Sequence, residues 1–276
     1  MRPYPLTWLY VPGDRPEIVT KALVAGADVV VVDLEDAVAP DRKRYAREAT
    51  AERLGTPQPI PVHVRVNALD SSWAAADLAA IAALPGVSGL RLPKVTAPAQ
   101  ITHVARATAR SEGDAPALYA LLESALGVEH AYAIATAHPI LRGIALGEAD
   151  LRADLGVRHD GGLDWSRSRV VVAARAAALP PPSQSVHPDI RDLEGLRSSC
   201  AHGRALGFLG RAAVHPRQLP VIERAYLPTE EEIEHAETIL KAAQAHQGAQ
   251  ALPDGTFIDA AVVTQAHRTL SLAHRG

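Results

Sequence analysis

Charged side chains follow several short apolar runs of this sequence, and their types suit metal-assisted or acid–base chemistry. A charged group directly after an apolar strand must be desolvated, paired or bound to a ligand. Because no comparable set precedes the runs, the placement predicts one active site at one end of a sheet. The residues are Asp33, Glu35 and Asp36 after VVVV, Arg65 and Asn67 at the end of IPVHVRVN, Lys94 after GLRLP, Glu123 after ALYALL, and Glu148 and Asp150 after IALG.

Two of these carboxylates, Glu123 and Asp150, suit a hard cation that prefers oxygen ligands. Magnesium fits best, since one or two carboxylates hold it together with waters and substrate oxygens. Arg65 would supply a two-point clamp for a carboxylate or an enolate oxygen. The sequence has no GxGxxG, GxxxxGK[ST], GxSxG or HExxH motif, so dinucleotide, P-loop, serine-hydrolase and zincin chemistry lack their signatures.

Three further residues have alternative roles. Lys94 is predicted to bind substrate; the alternative is a Schiff-base lysine, which nearby acidic residues would oppose by keeping it protonated. Of Glu35 and Asp36, one is expected to support the water shell of the magnesium ion. The other would cap the following helix or pair with Arg65, and Asp36 is the one that we assign to catalysis.

The elements that position these residues alternate regularly along the chain. Continuous apolar strands, each followed by a helix, are typical of a parallel sheet covered on both faces. Eight such units favour an α/β fold of the (β/α)8 TIM-barrel type over a doubly wound sheet. Strands are predicted at 7–11, 27–34, 60–66, 87–92, 117–122, 141–147, 183–186 and 211–214, and helices at 40–54, 72–83, 97–110, 165–179, 189–206 and 217–226.

The pattern changes after residue 226, which divides the chain into a barrel domain, 1–226, and a C-terminal helical extension, 227–276. Thr229 with Glu232 three residues later is a capping box that begins a helix to about residue 247. A last helix is predicted at 259–273.

Composition excludes several classes of function. The 28 Lys and Arg against 31 Asp and Glu give a net charge of -3, which is unlike a nucleic-acid-binding protein. The single cysteine, Cys200, excludes an internal disulfide framework. No apolar stretch approaches the roughly 20 residues that cross a bilayer, and the first residues reach a polar turn too soon for a secretory signal. We therefore expect a cytoplasmic enzyme without a membrane partner.

A set of blocks, in order along nearly the whole chain, resembles the citrate lyase β-subunit (HpcH/HpaI aldolase/citrate lyase) family. These blocks are LYVPGDRPEIVTKA, GADVVVVDLEDAVAPDRKRYAR, VRVN, LPK, ALLESALGV, LGEADLRADLG and GRAAVHPRQLPVIERAYLP. The resemblance implies a magnesium-dependent TIM-barrel lyase that cleaves a 3-hydroxy-3-carboxyacyl-CoA thioester. Citryl-, citramalyl- or malyl-CoA would yield acetyl-CoA and a 2-oxo acid through an enolate.

The resemblance also implies roles for individual residues. Glu123 and Asp150 match the metal ligands, Glu123 adjoining the substrate, and Arg65 matches the residue that binds the carboxylate and carbonyl region of the oxo acid. GTFID at 255–259 is similar to a tail motif whose aspartate, here Asp259, exchanges a proton with the acetyl-CoA carbon. Because that tail reaches a neighbouring subunit in relatives, the resemblance implies a homo-oligomer, a trimer or hexamer.

Other functions stay open at this stage. Gln184 stands where relatives often have an aspartate, which leaves the identity of the oxo acid undecided. The chain could instead be the β subunit of a citrate lyase complex that acts on an acyl-carrier-bound substrate, or a malyl-CoA thioesterase. A non-enzymatic scaffold is disfavoured by the intact set of carboxylates.

Overall fold

Seven strands form one parallel sheet in this computed structural model, which describes residues 5–109, 115–245, 250–251 and 257–273. The sheet order is β6-β5-β4-β3-β2-β1-β7. Each strand lies within or close to a predicted apolar run, so the expected α/β class with a parallel sheet is confirmed. The strands are β1 Thr7–Pro12, β2 Val29–Asp33, β3 Val62–Arg65, β4 Gly89–Leu92, β5 Ala117–Leu122, β6 Leu141–Leu146 and β7 Arg211–Ala213.

Helices connect the strands and cover the sheet. Proline at the first helical position begins α1 and α4, where its missing N–H is not needed. Gly156, in the left-handed conformation, ends α7. The helices are α1 Pro16–Ala22, α2 Lys43–Leu54, α3 Ala74–Ile81, α4 Pro98–Ala107, α5 Ala125–Glu129, α6 Ala131–Ala135, α7 Glu148–Leu155, α8 Asp164–Ala176, α9 Leu193–Ala205 and α10 Leu219–Tyr226.

The segment 183–186 differs from its prediction as a strand. It forms a single parallel bridge, between Gln184 and Arg211, so the described sheet has seven strands rather than eight. Three prolines, 180–182, precede it and provide no N–H groups for a ladder, which accounts for its shortness. On its other side the Oγ of Ser185 accepts a hydrogen bond from the Glu148 amide at 3.3 Å. The segment therefore lies between β7 and the start of α7.

The core of the sheet is apolar on both faces of its central strands. All five residues of β2 are buried, and Val29 and Val31 pack with Trp8 and Tyr10 of β1. Each fully buried side chain of this size stabilises the fold by about 1.5–3 kcal/mol. This rigid apolar frame carries the charged residues that follow the strands.

The described residues from Arg224 onward belong to a second compact unit, separate from Pro5–Glu223. It contains α11 Glu230–Ala245, α12 Ala260–Ala273 and a two-stranded antiparallel sheet, β8 Gln250–Ala251 with β9 Phe257–Ile258. The predicted capping box is present, because the Thr229 amide donates to Glu232 Oε2 at 2.8 Å and the Glu232 amide donates to Thr229 Oγ1 at 3.2 Å. The core of this unit consists of Ala236, Ile239, Ile258 and Ala266.

Among the described helices, none combines the length and apolar character needed to cross a membrane.

Candidate active site

The ends of strands β2–β6 bring five of the six predicted site residues together. The Nζ atom of Lys94 lies 3.8 Å from Glu123 Oε2 and 3.9 Å from Asp150 Oδ2. The same atom lies 3.9 Å from Asp36 Oδ1, and Asp36 in turn lies 3.3 Å from Arg65 Nη1. The carboxyl ends of five neighbouring strands thus supply one cluster of opposite charges.

Arg65 is held mainly by Asp33, which was predicted to lie at this end of the sheet but was given no role of its own. Its Nε and Nη2 atoms donate to the two Asp33 oxygens at 2.7 and 2.6 Å, the planar geometry expected of this pair. Its Nη1 atom lies 3.0 Å from Glu35 Oε2. Although burial lowers the pKa of Arg65, hydrogen bonds and the charge of Asp33 raise it well above its usual value. Only the Nη1 edge of the guanidinium faces the remaining carboxylates.

The loop after β2 is fixed by a residue that was not predicted from the sequence, Lys43. Its Nζ atom donates to the carbonyl oxygens of Leu34 and Glu35 at 2.8 and 2.6 Å. Asp33 accepts from the amides of Glu35 and Ala37 at 2.9 and 3.1 Å. A buried ammonium on α2 and a carboxylate at the end of β2 therefore shape the loop that carries Glu35 and Asp36. The only signal in the sequence was the closeness of Lys43 to DLED.

Glu123 is buried beside other acidic groups, and its side chain is 3% exposed. Burial raises the pKa of Glu123 to about 8; the charge of Glu35 and the hydrogen bond with Asp150 also raise it, while Arg65 lowers it. Burial likewise raises the pKa of Glu35. The Oε2 atom of Glu123 is buried without a hydrogen-bond partner. A carboxyl group in these surroundings either keeps a proton or takes a cation.

Glu123 and Asp150 fit a partly hydrated magnesium ion. Two adjoining carboxylates, one with a free buried oxygen, match the few protein ligands that this ion uses besides waters and substrate oxygens. In the part of the chain that the structure describes, no group of three or more His, Cys, Asp or Glu side chains is arranged to hold a metal by itself. A Cβ atom at Gly147 would lie 2.3 Å from Cγ of Glu123, so glycine is needed for Glu123 to lie there.

Lys94 is an ammonium ion rather than a nucleophilic amine in this setting. Burial lowers its pKa, but the carboxylates of Glu35 and its neighbours raise it above its usual value. Its Nζ atom lies 3.2 Å from Glu35 Oε1. The backbone of Lys94 is in the left-handed region, with φ at 53°. These surroundings disfavour the Schiff-base alternative and favour contact with an anion.

Helix α7, whose first turn carries Asp150, is anchored by a buried arginine. Arg167 on α8 lies 2.6 Å from Glu148, 2.7 Å from Asp160 and 2.9 Å from Asp164. Its side chain is almost fully buried, so these three carboxylates compensate its charge. The pairing fixes the start of α7 next to the site.

A cleft of about 440 Å³ opens on this cluster. Its lining combines acidic groups, two arginines, apolar strand residues and the polar segment 183–186. The residues with functional groups are Tyr10, Asp33, Asp36, Arg65, Arg91, Glu123, Asp150, Ser183, Gln184 and Ser185. The cleft can accept a small anionic molecule beside a cation.

Asp259, the sixth predicted residue, lies in the second unit. Its Oδ1 atom accepts hydrogen bonds from the amides of Ala261 and Val262 at 2.9 and 3.0 Å, so it caps α12. Residues 255 and 256 of the GTFID motif lie outside the described residues. A catalytic role for Asp259 stays a prediction.

Comparisons with known proteins give a consistent result. The family model for HpcH/HpaI aldolase/citrate lyase matches residues 6–216. A (3S)-malyl-CoA thioesterase of Cereibacter sphaeroides is 35% identical, and the match covers 96% of this chain and 93% of that protein. The citrate lyase subunit beta of Escherichia coli is 34% identical, with 96% and 92% covered.

Solved structures of relatives agree in fold over most of this chain. The protein CitE of Mycobacterium tuberculosis, crystallised with magnesium, acetoacetate and coenzyme A, has a TM-score of 0.84 and 34% identity; the match covers 99% of this chain and 100% of that chain. A citrate lyase beta subunit from the same organism, crystallised with oxaloacetate and magnesium, has a TM-score of 0.70 and 36% identity, with 82% and 99% covered.

Proposed function

This chain belongs to the HpcH/HpaI aldolase/citrate lyase family, and on that premise we propose that it is a magnesium-dependent carbon–carbon lyase. Its substrate is a 3-hydroxy-3-carboxyacyl-CoA thioester, which it cleaves to acetyl-CoA and a 2-oxo acid through an enolate. The observation that carries the proposal is the buried Glu123 carboxyl, adjoining Asp150, on a cleft that Arg65 also lines. Relatives named for CoA-thioester and citrate chemistry, and a related structure with magnesium and coenzyme A, support it.

Glu123 and Asp150 would hold the magnesium ion. When bound, the ion acts as a Lewis acid that polarises oxygens of the substrate. Arg65 would orient the carboxylate of the oxo-acid half with its Nη1 edge. Lys94 and Arg65 would offset negative charge on the carboxylate and on the departing enolate, since fixed cations in a desolvated site stabilise charge that develops during the reaction.

In the cleavage direction the substrate hydroxyl would give its proton to a water molecule in the cleft and become the carbonyl of the 2-oxo acid. The carbon–carbon bond breaks, and its electron pair passes to the acetyl group as the thioester enolate. Asp259 would then give a proton to the enolate carbon to form acetyl-CoA. Asp36, half exposed beside Arg65, would organise water at this edge of the site.

Hydrolysis of the thioester is the second candidate, favoured by the 35% identity with a (3S)-malyl-CoA thioesterase over nearly the full length of both chains. Water would attack the thioester carbonyl and coenzyme A would leave as the thiol. A third arrangement, a subunit that acts on an acyl-carrier-bound substrate, is supported by the citrate lyase subunit beta relative.

A mass-spectrometric assay of the purified chain with citryl-, citramalyl- and malyl-CoA, with magnesium or with EDTA, tests the proposal. Magnesium-dependent formation of acetyl-CoA with a 2-oxo acid is the expected result. Release of malate and free coenzyme A from malyl-CoA would instead identify the chain as a thioesterase. If none of the three substrates is converted while magnesium still binds, the carrier-bound arrangement is favoured. If none is converted and magnesium does not bind, the metal site is refuted.

The finer architecture is proposed on the same grounds. A (β/α)8 barrel over 1–226, with segment 183–186 in the seventh position, is supported by its bridge to β7. A homotrimer or hexamer, a C-terminal extension at 227–276 that contacts a neighbouring subunit, and a cytoplasmic location are expected for a family member of this type.

A further inference from the structure

A second arginine, Arg91, lies beside Arg65 on the inner face of the sheet. The two residues are register partners on β3 and β4, and Arg91 is also the partner of Tyr119 on β5. Arg91 is 3% exposed and lines the same cleft as Glu123 and Arg65. It is therefore a buried cation within the proposed site that no step above uses.

The side-chain contacts that Arg91 makes with the described residues are aromatic rather than ionic. Within the described chain, Arg91 forms no ion pair with an Asp or Glu; the one hydrogen bond of its side chain runs from Nη1 to the Tyr10 hydroxyl at 3.3 Å. Its Cζ atom lies 5.6–5.8 Å from the ring centres of Trp8, Tyr10 and Tyr119. Its Nε atom is buried without a hydrogen-bond partner.

This arrangement differs from that of the other arginines at or near the site. Arg65 has Asp33, and Arg167 has three carboxylates. A buried guanidinium without a counter-ion is costly, and aromatic faces offset only part of that cost. An anion that enters through the cleft would complete the hydrogen bonding of Arg91 and neutralise its charge.

We propose that Arg91 binds a second carboxylate on the oxo-acid half of the substrate, so that this chain acts on thioesters that release a 2-oxo dicarboxylic acid. The inference rests on the proposed function, because it takes the first carboxylate to lie at Arg65 and the magnesium site. A planar guanidinium with free donors matches a carboxylate better than it matches the methyl or hydrogen of a monocarboxylic oxo acid.

The test compares two ligands that differ only at this group. Oxaloacetate and 2-oxobutyrate have the same chain length, with a carboxylate in one where the other has a methyl group. Isothermal titration in the presence of magnesium should show that the native chain binds oxaloacetate about 10- to 100-fold more tightly, the range expected for a charge-assisted hydrogen-bonded pair. Arg91→Met should abolish this preference while its affinity for 2-oxobutyrate changes less than threefold.

Two further variants keep the test decisive. Arg91→Lys retains the positive charge, which can also lie against aromatic rings, and it should keep part of the preference for oxaloacetate. Arg211→Met removes another buried arginine that has no carboxylate partner in the described chain and does not line the cleft, and it should keep the full preference.

Several results would overturn the inference. A native chain that binds 2-oxobutyrate with magnesium but shows no preference for oxaloacetate would refute the role of Arg91 and leave the proposed function standing. If Arg91→Met loses affinity for oxaloacetate and for 2-oxobutyrate to the same extent, Arg91 has a structural role. The same conclusion follows if Arg211→Met also loses the preference for oxaloacetate. Failure of the native chain to bind either oxo acid with magnesium would refute both the inference and the proposed function.

Discussion

At the scale of single residues, the state of Glu123 controls what the site can bind. Its carboxyl is desolvated and adjoins two other acidic side chains, so a proton and a divalent cation compete for the same oxygens. Arg65 and Lys94 reduce this repulsion without removing it. The site is therefore poised between a protonated form and a metal-loaded form near neutral pH.

Magnesium affinity should rise with pH. Because the pKa of Glu123 is raised to about 8, metal binding below that pH must displace a proton. The dissociation constant should therefore fall by up to about tenfold per pH unit and level off above the pKa. Titration calorimetry at several pH values, in buffers of different ionisation enthalpy, measures both the affinity and the proton released. Glu123→Gln should bind magnesium weakly and without this dependence; a native affinity independent of pH would contradict the assignment.

The stability of the metal-free chain should have the opposite dependence. The folded pKa of Glu123 is above its unfolded value of about 4.5, so between 4.5 and about 8 the folded state holds a proton that the unfolded state has lost. The free energy of unfolding therefore decreases as pH rises through this window, by up to about 1.4 kcal/mol per pH unit from this group. Denaturant unfolding in EDTA, compared with Glu123→Gln, isolates the effect. Parallel pH profiles for the two proteins would exclude it.

At the scale of secondary-structure elements, apolar periodicity predicted most of the sheet, and contacts distant in sequence decided the rest. The run VVVV is buried on both faces of the sheet, and a continuous apolar run of this kind predicts such a strand, so β2 was predictable. Segment 183–186 was not, because its pairing is limited by preceding prolines. The strand ends predicted Arg65, Glu123 and Asp150 as neighbours. The pairing of Arg65 with Asp33 was not predicted, because it depends on the register between β2 and β3.

Helix α7 should lose its position when Arg167 is removed. Arg167→Met leaves Glu148 and two other carboxylates without their shared cation, which should lower the free energy of unfolding by about 3 kcal/mol. It should also weaken magnesium binding, because Asp150 lies on the same helix. Chemical denaturation and calorimetry measure these two effects.

A matched control lies on α7 itself. Arg152 pairs with Asp160 at 2.9 Å, and both side chains are partly exposed, so Arg152→Met should cost at most about 0.5 kcal/mol and leave magnesium affinity unchanged. Equal effects from the two variants would show that Arg167 has no special role in holding the site.

At the scale of the whole molecule, the chain consists of two compact units with separate cores, and the predicted catalytic residues are divided between them. Arg65, Asp36 and the predicted metal ligands Glu123 and Asp150 lie in the first unit, while Asp259 caps a helix in the second. If a tail completes the site of a neighbouring subunit, activity depends on assembly.

Mixing two inactive variants tests this dependence. Glu123→Gln and Asp259→Asn should each lose turnover, and Asp259→Asn should keep its magnesium affinity. Co-refolded in equal amounts into one oligomer, they should regain activity at about one quarter of the sites, where an intact Glu123 meets an intact Asp259 from a neighbour. Size-exclusion chromatography with light scattering confirms co-assembly. Mixed oligomers without activity would contradict a shared site, and a fully active Asp259→Asn would refute the role of that residue.

The left-handed backbone of Lys94 implies a compromise between folding and catalysis. A side chain with a Cβ atom at φ of 53° destabilises the fold, whereas glycine adopts this conformation freely. Lys94→Gly should therefore be more stable than Lys94→Ala by about 1 kcal/mol, although both remove the same ammonium group. Thermal unfolding of the pair measures the difference, and equal stabilities would show that the conformation is not strained. The native residue is then one that selection for folding alone would replace, and its presence reflects what the charge contributes to the reaction.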